Sequence, residues 1–532
     1  MRSDRNENIH FSNRAKYLLT GLLIILNFVI RVPSVPHEIG NDGFTIHILA
    51  NSVSAFGHAK WWAHPASIFG FYPYSYASAV PFLLSGISQC SGVNMETTIW
   101  IFCVIIGVFS AFTAYLLAKE IWNNDAFKFI VAFTYSLSPG ILTFSTWDVS
   151  TRGLFIILLP LFIYLLLKIR SYIKFGILFI VLFILLTATH HYIFMTIPII
   201  LGFTIFIVIN KIISKSMQIR QIRISHNCIN VIFILTFMCM FLIPFFTRIF
   251  GVYSRYVWLH LMFENYVRYA GIITIFAISG YVYLSLKYNK NFNEWSFLFF
   301  TLFLAPLLYV LTYAHYFTII FVSILASISL ANITNMIKDG PRKKCAFFMI
   351  VIILLLSISF SGFYQHWRTH KGKATAGEWY MSEKTYTAAL WIRENIDENK
   401  RLVCNNDLTC RRMLAISEVP TLVGAANDCM LTYGFTEVGN IKNVTMNSPL
   451  TTRFYLDNPY VMGYPPHDVG ASFFALQSWD IESWEGKRII SRFNLSYAIE
   501  DKYGYRKAFI QSLHEKRDNI YNNGKIRIWC LS

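Results

Sequence analysis

Residues 37–47 read His37-Glu38-Ile39-Gly40-Asn41-Asp42-Gly43-Phe44-Thr45-Ile46-His47, and four of the eleven side chains are ionisable. They follow an apolar run, Lys16 to Val32, that is long enough to cross a bilayer. Ionisable groups at membrane level are costly, so a cluster of them marks a candidate site. Downstream the pattern becomes helix-like over 44–55 and reaches Trp61-Trp62. Asp42 carries two readings: a cap for the helix that follows, or a carboxylate that holds a divalent cation or takes a proton.

The rest of the chain places this loop. Of 532 residues 55% are hydrophobic and 14% charged, against about 25% charged in soluble domains. The deficit lies before residue ~365, where apolar runs of spanning length recur near 15–32, 97–118, 126–144, 152–168, 173–189, 193–211, 227–247, 270–287, 295–313, 316–333 and 345–363. The net charge of +17 would suggest nucleic acid in a soluble protein. Here the basic residues flank apolar runs, so membrane topology accounts for them and no nucleic-acid partner is expected. Arg2, Arg5, Arg14 and Lys16 put the N-terminus in the cytoplasm, and the first run is read as a retained anchor.

With eleven spans, every later basic loop (Lys119/Lys128, Lys168/Arg170/Lys174, Lys211–Arg223, Lys287/Lys290, Lys338–Lys344) falls on the cytoplasmic side. The run 75–91 breaks this agreement if it crosses, so it is read as re-entrant or interfacial, with a twelfth span as the alternative. The expected division is a transmembrane domain, 1–363, with one long external loop, 33–96, and an extracytoplasmic soluble domain, 364–532. The compartment is the outside of the cell membrane, or the endoplasmic reticulum lumen in a eukaryote. In the soluble part, helix is expected from Tyr386 to Asn395 and strand over 401–404, 488–499 and 525–531, a mixed α/β domain. Cys404, Cys410, Cys429 and Cys530 lie there; Cys404–Cys410 is a candidate disulfide, and Asn443-Val-Thr445 and Asn494-Leu-Ser496 are glycosylation acceptors.

Three further polar stretches fall on the external side: Ser138-Pro139-Gly140 with Trp147-Asp148-Val149-Ser150-Thr151-Arg152-Gly153; Thr189-His190-His191-Tyr192; and the loop with Arg248, Arg255, Glu264 and Arg268. Carboxylates and arginines at one face suit a lipid-linked sugar phosphate, whose transfer needs charge neutralised on the leaving phosphate and an activated acceptor. Each residue also has a structural reading. Arg152 would snorkel to the interface, His190 and His191 would pack as neutral groups between spans, and Glu264 would pair with Arg268 at i,i+4.

These residues resemble the GT-C superfamily of membrane glycosyltransferases, and within it the catalytic subunit of oligosaccharyltransferase. The likeness lies in Glu38…Asp42-Gly-Phe44…His47…Ala50-Asn51…Gly57…Trp61 and Tyr72-Pro73, in Phe109 to Glu120, in Ser138-Pro139-Gly140 and in Trp391-Ile-Arg393-Glu394-Asn395. By resemblance Asp42 is the first acidic motif, binding a divalent cation (Mn or Mg), and Asp148 lies near the second. The family has two acids one position apart there, and Ser150 stands for the second. Thr189-His190-His191-Tyr192 stands where the family commonly has a Trp-Gly-Gly-Tyr type sequence. The family's acceptor-reading Trp-Trp-Asp-Tyr-Gly is replaced by Cys404-Asn-Asn-Asp407-Leu-Thr-Cys410-Arg411-Arg412, which turns the expectation away from asparagine in a sequon.

The expectation is an α-helical polytopic GT-C-like domain with a soluble α/β domain. It would move a sugar or oligosaccharide from a polyprenyl (di)phosphate carrier in the membrane lipid to a protein or glycan acceptor. Asp42 and Asp148 would be the catalytic and metal residues; Glu38, His47, Arg152, His190, His191, Glu264 and Arg268 would contact substrate. The alternatives are a transporter and a catalytically inactive scaffold of the same fold.

Overall fold

The computed structural model describes residues 10–58, 60, 79–220, 226–247, 254–309, 313–337, 340–370, 379–424, 432–435, 465–504 and 506–531. Trp61-Trp62, Tyr72-Pro73, Arg248, Cys429, the triplet at Asn443 and the first part of 75–91 lie outside the described residues, as does the His191 side chain.

Each of the eleven apolar runs is mostly helical in its described part. The helices are α1 (Asn13–Val29), α2 (Asp42–Phe56), α3 (Ala79–Ser91), α4 (Met95–Ile121), α5 (Asp125–Ser136), α6 (Pro139–Thr143), α7 (Thr151–Lys168) and α8 (Ile173–Thr189). They continue as α9 (Ile197–Arg220), α10 (His226–Thr247), α11 (Arg255–Ala270), α12 (Thr274–Leu286), α13 (Phe292–Leu304), α14 (Tyr313–Met336) and α15 (Pro341–His370). Among the described residues seven helices are long and apolar enough to cross a membrane, and eight if α11 and α12, bent by 100°, form one span. With its mixed C-terminal domain, this is a multi-pass membrane fold.

Two runs differ from their sequence reading. The run 126–144 breaks at Ser138-Pro139, because the residue before proline is pushed out of the helical region; α6 restarts with Pro139 in its first turn. The stretch read as a loop around Glu264 is the helix α11. Ser254 caps it, its hydroxyl accepting from the Val257 amide at 3.4 Å. The 13 residues of α3 rise only about 20 Å, short of a ~30 Å hydrocarbon core. It lies against α2, with Ser54 Oγ 2.8 Å from Ser85 Oγ.

The C-terminal part has a five-stranded sheet of order β2-β1-β3-β5-β4. Its strands are β1 (Arg401–Cys404), β2 (Thr421–Leu422), β3 (Leu495–Asp501), β4 (Asn519–Asn522) and β5 (Ile526–Cys530). β1 runs parallel to β2 and β3, while β3–β5 and β5–β4 are antiparallel. Helices α16 (Glu383–Asn395) and α17 (Asp407–Ser417) pack beside it. Residues 488–493, read as strand, are helical instead. Ser483 caps the helix Trp484–Phe493, and Ile489 and Phe493, four apart, bury one face. Cys404 and Cys410 are buried free cysteines rather than the candidate disulfide that an oxidising compartment permits.

There are two large hydrophobic cores, one among the membrane helices and one around the sheet. α2 belongs to both. Ile46, Leu49, Ala50 and Val53 face the first, and Phe44 and Ile48 face the second. These two stripes at helical spacing explain why Gly43 through Val53 is buried throughout.

Candidate active site

α2 begins at Asp42, with Asn41 in the cap position but no side-chain cap bond. Asp42 is therefore in the first helical turn, where a carboxylate meets the positive end of the helix dipole. Its Oδ2 lies 3.2 Å from Arg152 Nη2, and Asp42 stays about one-third exposed. Arg152 stands in the first turn of α7, whose cap is Ser150 accepting from the Arg152 amide at 3.3 Å. A cation at a helix N-terminus is unfavourable by itself, and Asp42 compensates it. The guanidinium also lies over the Tyr313 ring, 5.3 Å from its centroid.

The segment before α2 is held on both sides. Ile39 N donates to Trp147 O at 3.1 Å, Gly40 N to Trp379 O at 3.0 Å, and Met381 N to Glu38 O at 3.0 Å. Ile39 and Tyr380 form an antiparallel bridge. Trp147 sits at φ +54°, a left-handed conformation unusual for a bulky residue, and its Nε1 donates to Glu96 O at 3.2 Å. That turn delivers Asp148 onto Gly40, where a β-carbon would overlap the Asp148 carboxylate. Gly40 itself has φ +94°.

Asp148 is buried in the loop ahead of α7, and its Oδ2 lies 3.0 Å from Arg368 Nη2. Burial pushes its carboxyl up to about 7 despite Arg368, with the nearby Asp42 and Glu38 adding to the rise. Glu38 is buried as well. Its Oε2 is 2.7 Å from His47 Nδ1, and its Oε1 meets no hydrogen-bond partner among the described residues. Burial raises the Glu38 carboxyl, His47 opposes that, and Glu96 reinforces it. A β-carbon on Gly43 would lie 3.0 Å from Glu38 Oε1 and 3.6 Å from Asp148 Oδ1. The structure thus gathers Glu38, Asp42, His47, Asp148 and Arg152, and adds Arg368.

The remaining sequence-selected residues stand elsewhere. His190 is buried, and its Nδ1 accepts from the Tyr192 amide at 3.0 Å as the cap of a 3-10 turn. Glu264 does not pair with Arg268; it faces His260 at 4.0 Å. Arg268 instead donates to the Tyr364 hydroxyl at 2.7 Å. They line a groove of about 500 Å³ between α11 and α15, walled by Phe263, Phe360, Phe363 and Trp367.

Carboxylates beside one another are the donors a hard divalent cation takes. Here, however, Asp42 and Asp148 are each held by an arginine. No group of three His, Cys, Asp or Glu side chains is arranged to hold a metal among the described residues. Ser150, one position past the space after Asp148, is committed to capping α7. As arranged, the residues do not fit a divalent cation.

The backbone carries the comparison with known proteins. The crystal structure of the Archaeoglobus fulgidus oligosaccharyltransferase in complex with Zn and sulfate superposes with a TM-score of 0.57 at 12% identity, covering 96% of this chain and 72% of that one. ArnT from Cupriavidus metallidurans bound to undecaprenyl phosphate gives 0.51 at 9% identity, covering 98% and 99%. The arabinofuranosyltransferase AftD from Mycobacteria gives 0.51 at 11% identity, covering 98% and 42%. The chain shares the overall fold of these structures. No protein-family model matches its sequence. No curated protein matches it either.

Arg368 and Tyr364 were not picked out from the sequence. They close the last apolar run, where a basic residue reads as an interfacial anchor.

Proposed function

We propose that this chain is an integral-membrane glycosyltransferase that takes a sugar from a polyprenyl phosphate or diphosphate and passes it to an acceptor outside the cytoplasm. The observation that carries this reading is the meeting of two acid–arginine pairs, Asp42–Arg152 and Asp148–Arg368, around the start of α2. Acid and guanidinium side by side serve both halves of the transfer: a carboxylate for the acceptor proton, and donors that fork onto a phosphate. The A. fulgidus relative has been seen with dolichol-phosphate and ArnT with undecaprenyl phosphate, in the same fold.

In this reading Asp42, the more open carboxylate, accepts the proton of the acceptor nucleophile. The nucleophile's electron pair forms the new bond to the anomeric carbon, and the bond from that carbon to the phosphate oxygen breaks. The leaving phosphate keeps the electron pair, and its charge is met by Arg152 and Arg368. The α2 and α7 N-termini add oriented amide groups to the same side. Arg268 and Tyr364 would hold the carrier phosphate as it enters, with the aromatic wall of their groove against the first isoprene units. A neighbouring apolar cavity of about 500 Å³, lined by Phe237, Phe241, Met262 and Tyr281 among others, would take more of the chain. The membrane domain would end near residue 363, and the soluble domain would face outside with the N-terminus inside.

The test is transfer by purified protein in nanodiscs from labelled lipid-linked saccharide extracted from the source membrane, with sequon peptide and glycan acceptors in parallel. Transfer that Asp42→Asn abolishes supports the proposal. A wild-type protein that binds the lipid donor yet transfers to nothing would favour the inactive scaffold of the same fold.

A further inference from the structure

His47 also lines a separate cavity of about 260 Å³. Its walls come from both parts of the chain: His47 and Asn51 on α2, Glu96 in the first turn of α4, Tyr386 and Arg393 on α16, and Glu418 after α17. Nothing in the transfer step above uses it.

Three observations point to a ligand. First, its lining is predominantly polar, unlike the apolar cavity between the membrane helices. Second, Glu418 ends α17 at φ +62°, the left-handed position that glycine takes at helix C-termini. A glutamate there strains the backbone, and this residue lines the cavity. Third, His47 has its Nδ1 occupied by Glu38 at 2.7 Å, so Nε2 is the ring nitrogen left for the cavity.

The chemistry of the wall selects a class. Glu418 accepts and Arg393 donates, with Tyr386, His47, Asn51 and Asn94 adding polar atoms; Asn51 Nδ2 is taken by Ala415 O, Asn94 Oδ1 by the Thr97 amide, and Glu96 Oε1 by His37 and the Glu38 amide. Alternating donors and acceptors match hydroxyl groups, which do both. With Glu96 paired to His37, one carboxylate, Glu418, stands against one guanidinium, Arg393, a wall without net charge that suits a neutral ligand. The volume lies below the ~300–1,000 Å³ of drug-sized sites, room for a single ring rather than a folded segment.

We propose that this cavity binds a neutral sugar ring of a glycan acceptor, with Glu418 and His47 as specificity-determining residues. Its role as an acceptor site rests on the glycosyltransferase reading; its affinity for saccharide does not. His47 touches the ligand on one side and Glu38 on the other, so an occupied cavity is hydrogen-bonded directly to the acidic cluster.

The test uses full-length protein in nanodiscs and fluorescent maltotriose, mannotriose and chitotriose, with an Asn-x-Thr peptide as the competing class. Glu418→Gly is the informative variant, because glycine relieves the left-handed strain and the protein should be at least as thermally stable as wild type. At least one trisaccharide is expected to bind wild type and Asp42→Asn alike, and at least tenfold more weakly to Glu418→Gly. In transfer assays the same variant should raise KM for glycan acceptor with little change in kcat. Absence of saccharide binding, binding indifferent to Glu418→Gly, or Glu418-dependent binding of the peptide alone would each overturn the proposal. Saccharide binding in a protein that never transfers would overturn the glycosyltransferase reading and leave the cavity assignment standing.

Discussion

Asp42 and Arg152 meet at 3.2 Å, each in the first turn of its own helix. The pair closes the site only while both charges are present. Asp42→Asn should lower transfer by about two orders of magnitude or more, the usual scale for a positioned acid–base group, with expression and thermal stability retained. Arg152→Lys should fall between wild type and Arg152→Ala, because an ammonium keeps charge but loses the fork. Initial rates with saturating lipid donor decide it; a fully active Asp42→Asn protein removes the core of the mechanism.

Gly40 holds Asp148 by having no side chain. Gly40→Ala would put a methyl group into the Asp148 carboxylate and strain a backbone at φ +94°. The expected result is loss of transfer comparable to Asp148→Ala, with a fall in melting temperature. Transfer retained by Gly40→Ala would show that Asp148 need not occupy this position.

The raised Asp148 carboxyl, about 7 and caused chiefly by burial, gives a pH profile with a definite sign. Below that value Asp148 is neutral and its ion pair with Arg368 is lost. Transfer should therefore rise with pH and level off above about 7, and Asp148→Asn should flatten that limb. Stability runs the other way. A carboxyl that binds its proton more tightly folded than unfolded contributes fully below pH ~4, and that contribution is lost as pH climbs to about 7. A shift of this size is worth on the order of a few kcal/mol, so Asp148→Asn should melt higher than wild type at pH 8.

Since arginines already compensate Asp42 and Asp148, Mn²⁺ or Mg²⁺ must displace a guanidinium to reach them. Transfer by wild type is expected to persist in EDTA, while Arg152→Ala should become cation-stimulated. Complete loss of wild-type activity in EDTA, restored by Mn²⁺, would show that the arginines yield to a metal when substrate binds.

His37 joins the two parts of the chain. Its Nδ1 is 3.1 Å from Glu96 and its Nε2 2.9 Å from Glu383, with the ring stacked on Tyr386 at 3.9 Å. Burial works against its charge, but the two carboxylates prevail and raise its pKa above 6.5. The contribution is complete below pH 6.5 and fades as pH passes the raised value. Hydrogen exchange of residues 379–396 should accelerate over that range in wild type, and be fast at all pH in His37→Gln.

How much of this was legible depended on the kind of signal. Apolar length located the membrane helices, and Asp42, Glu38, His47 and Asp148 stood out as ionisable groups at membrane level. Arg368 did not, because its partner Asp148 is distant in the chain and only tertiary packing brings them together. Arg268 shows the opposite error. Helical spacing offered Glu264 as its partner, yet Tyr364 from α15 is the group it meets. Left-handed Trp147 and Glu418 carry no compositional mark either.

The packing of α2 against two cores also sets when the site is complete. Phe44 and Ile48 are covered by residues made hundreds of positions later, and the strand-like segment at Ile39 is stitched to Tyr380. While the sheet is still being made, the Asp42 segment has its membrane-side partners Trp147 and Arg152 but lacks Trp379, Tyr380 and Met381. The arrangement around the start of α2 is therefore complete only after the C-terminal part has folded back onto it.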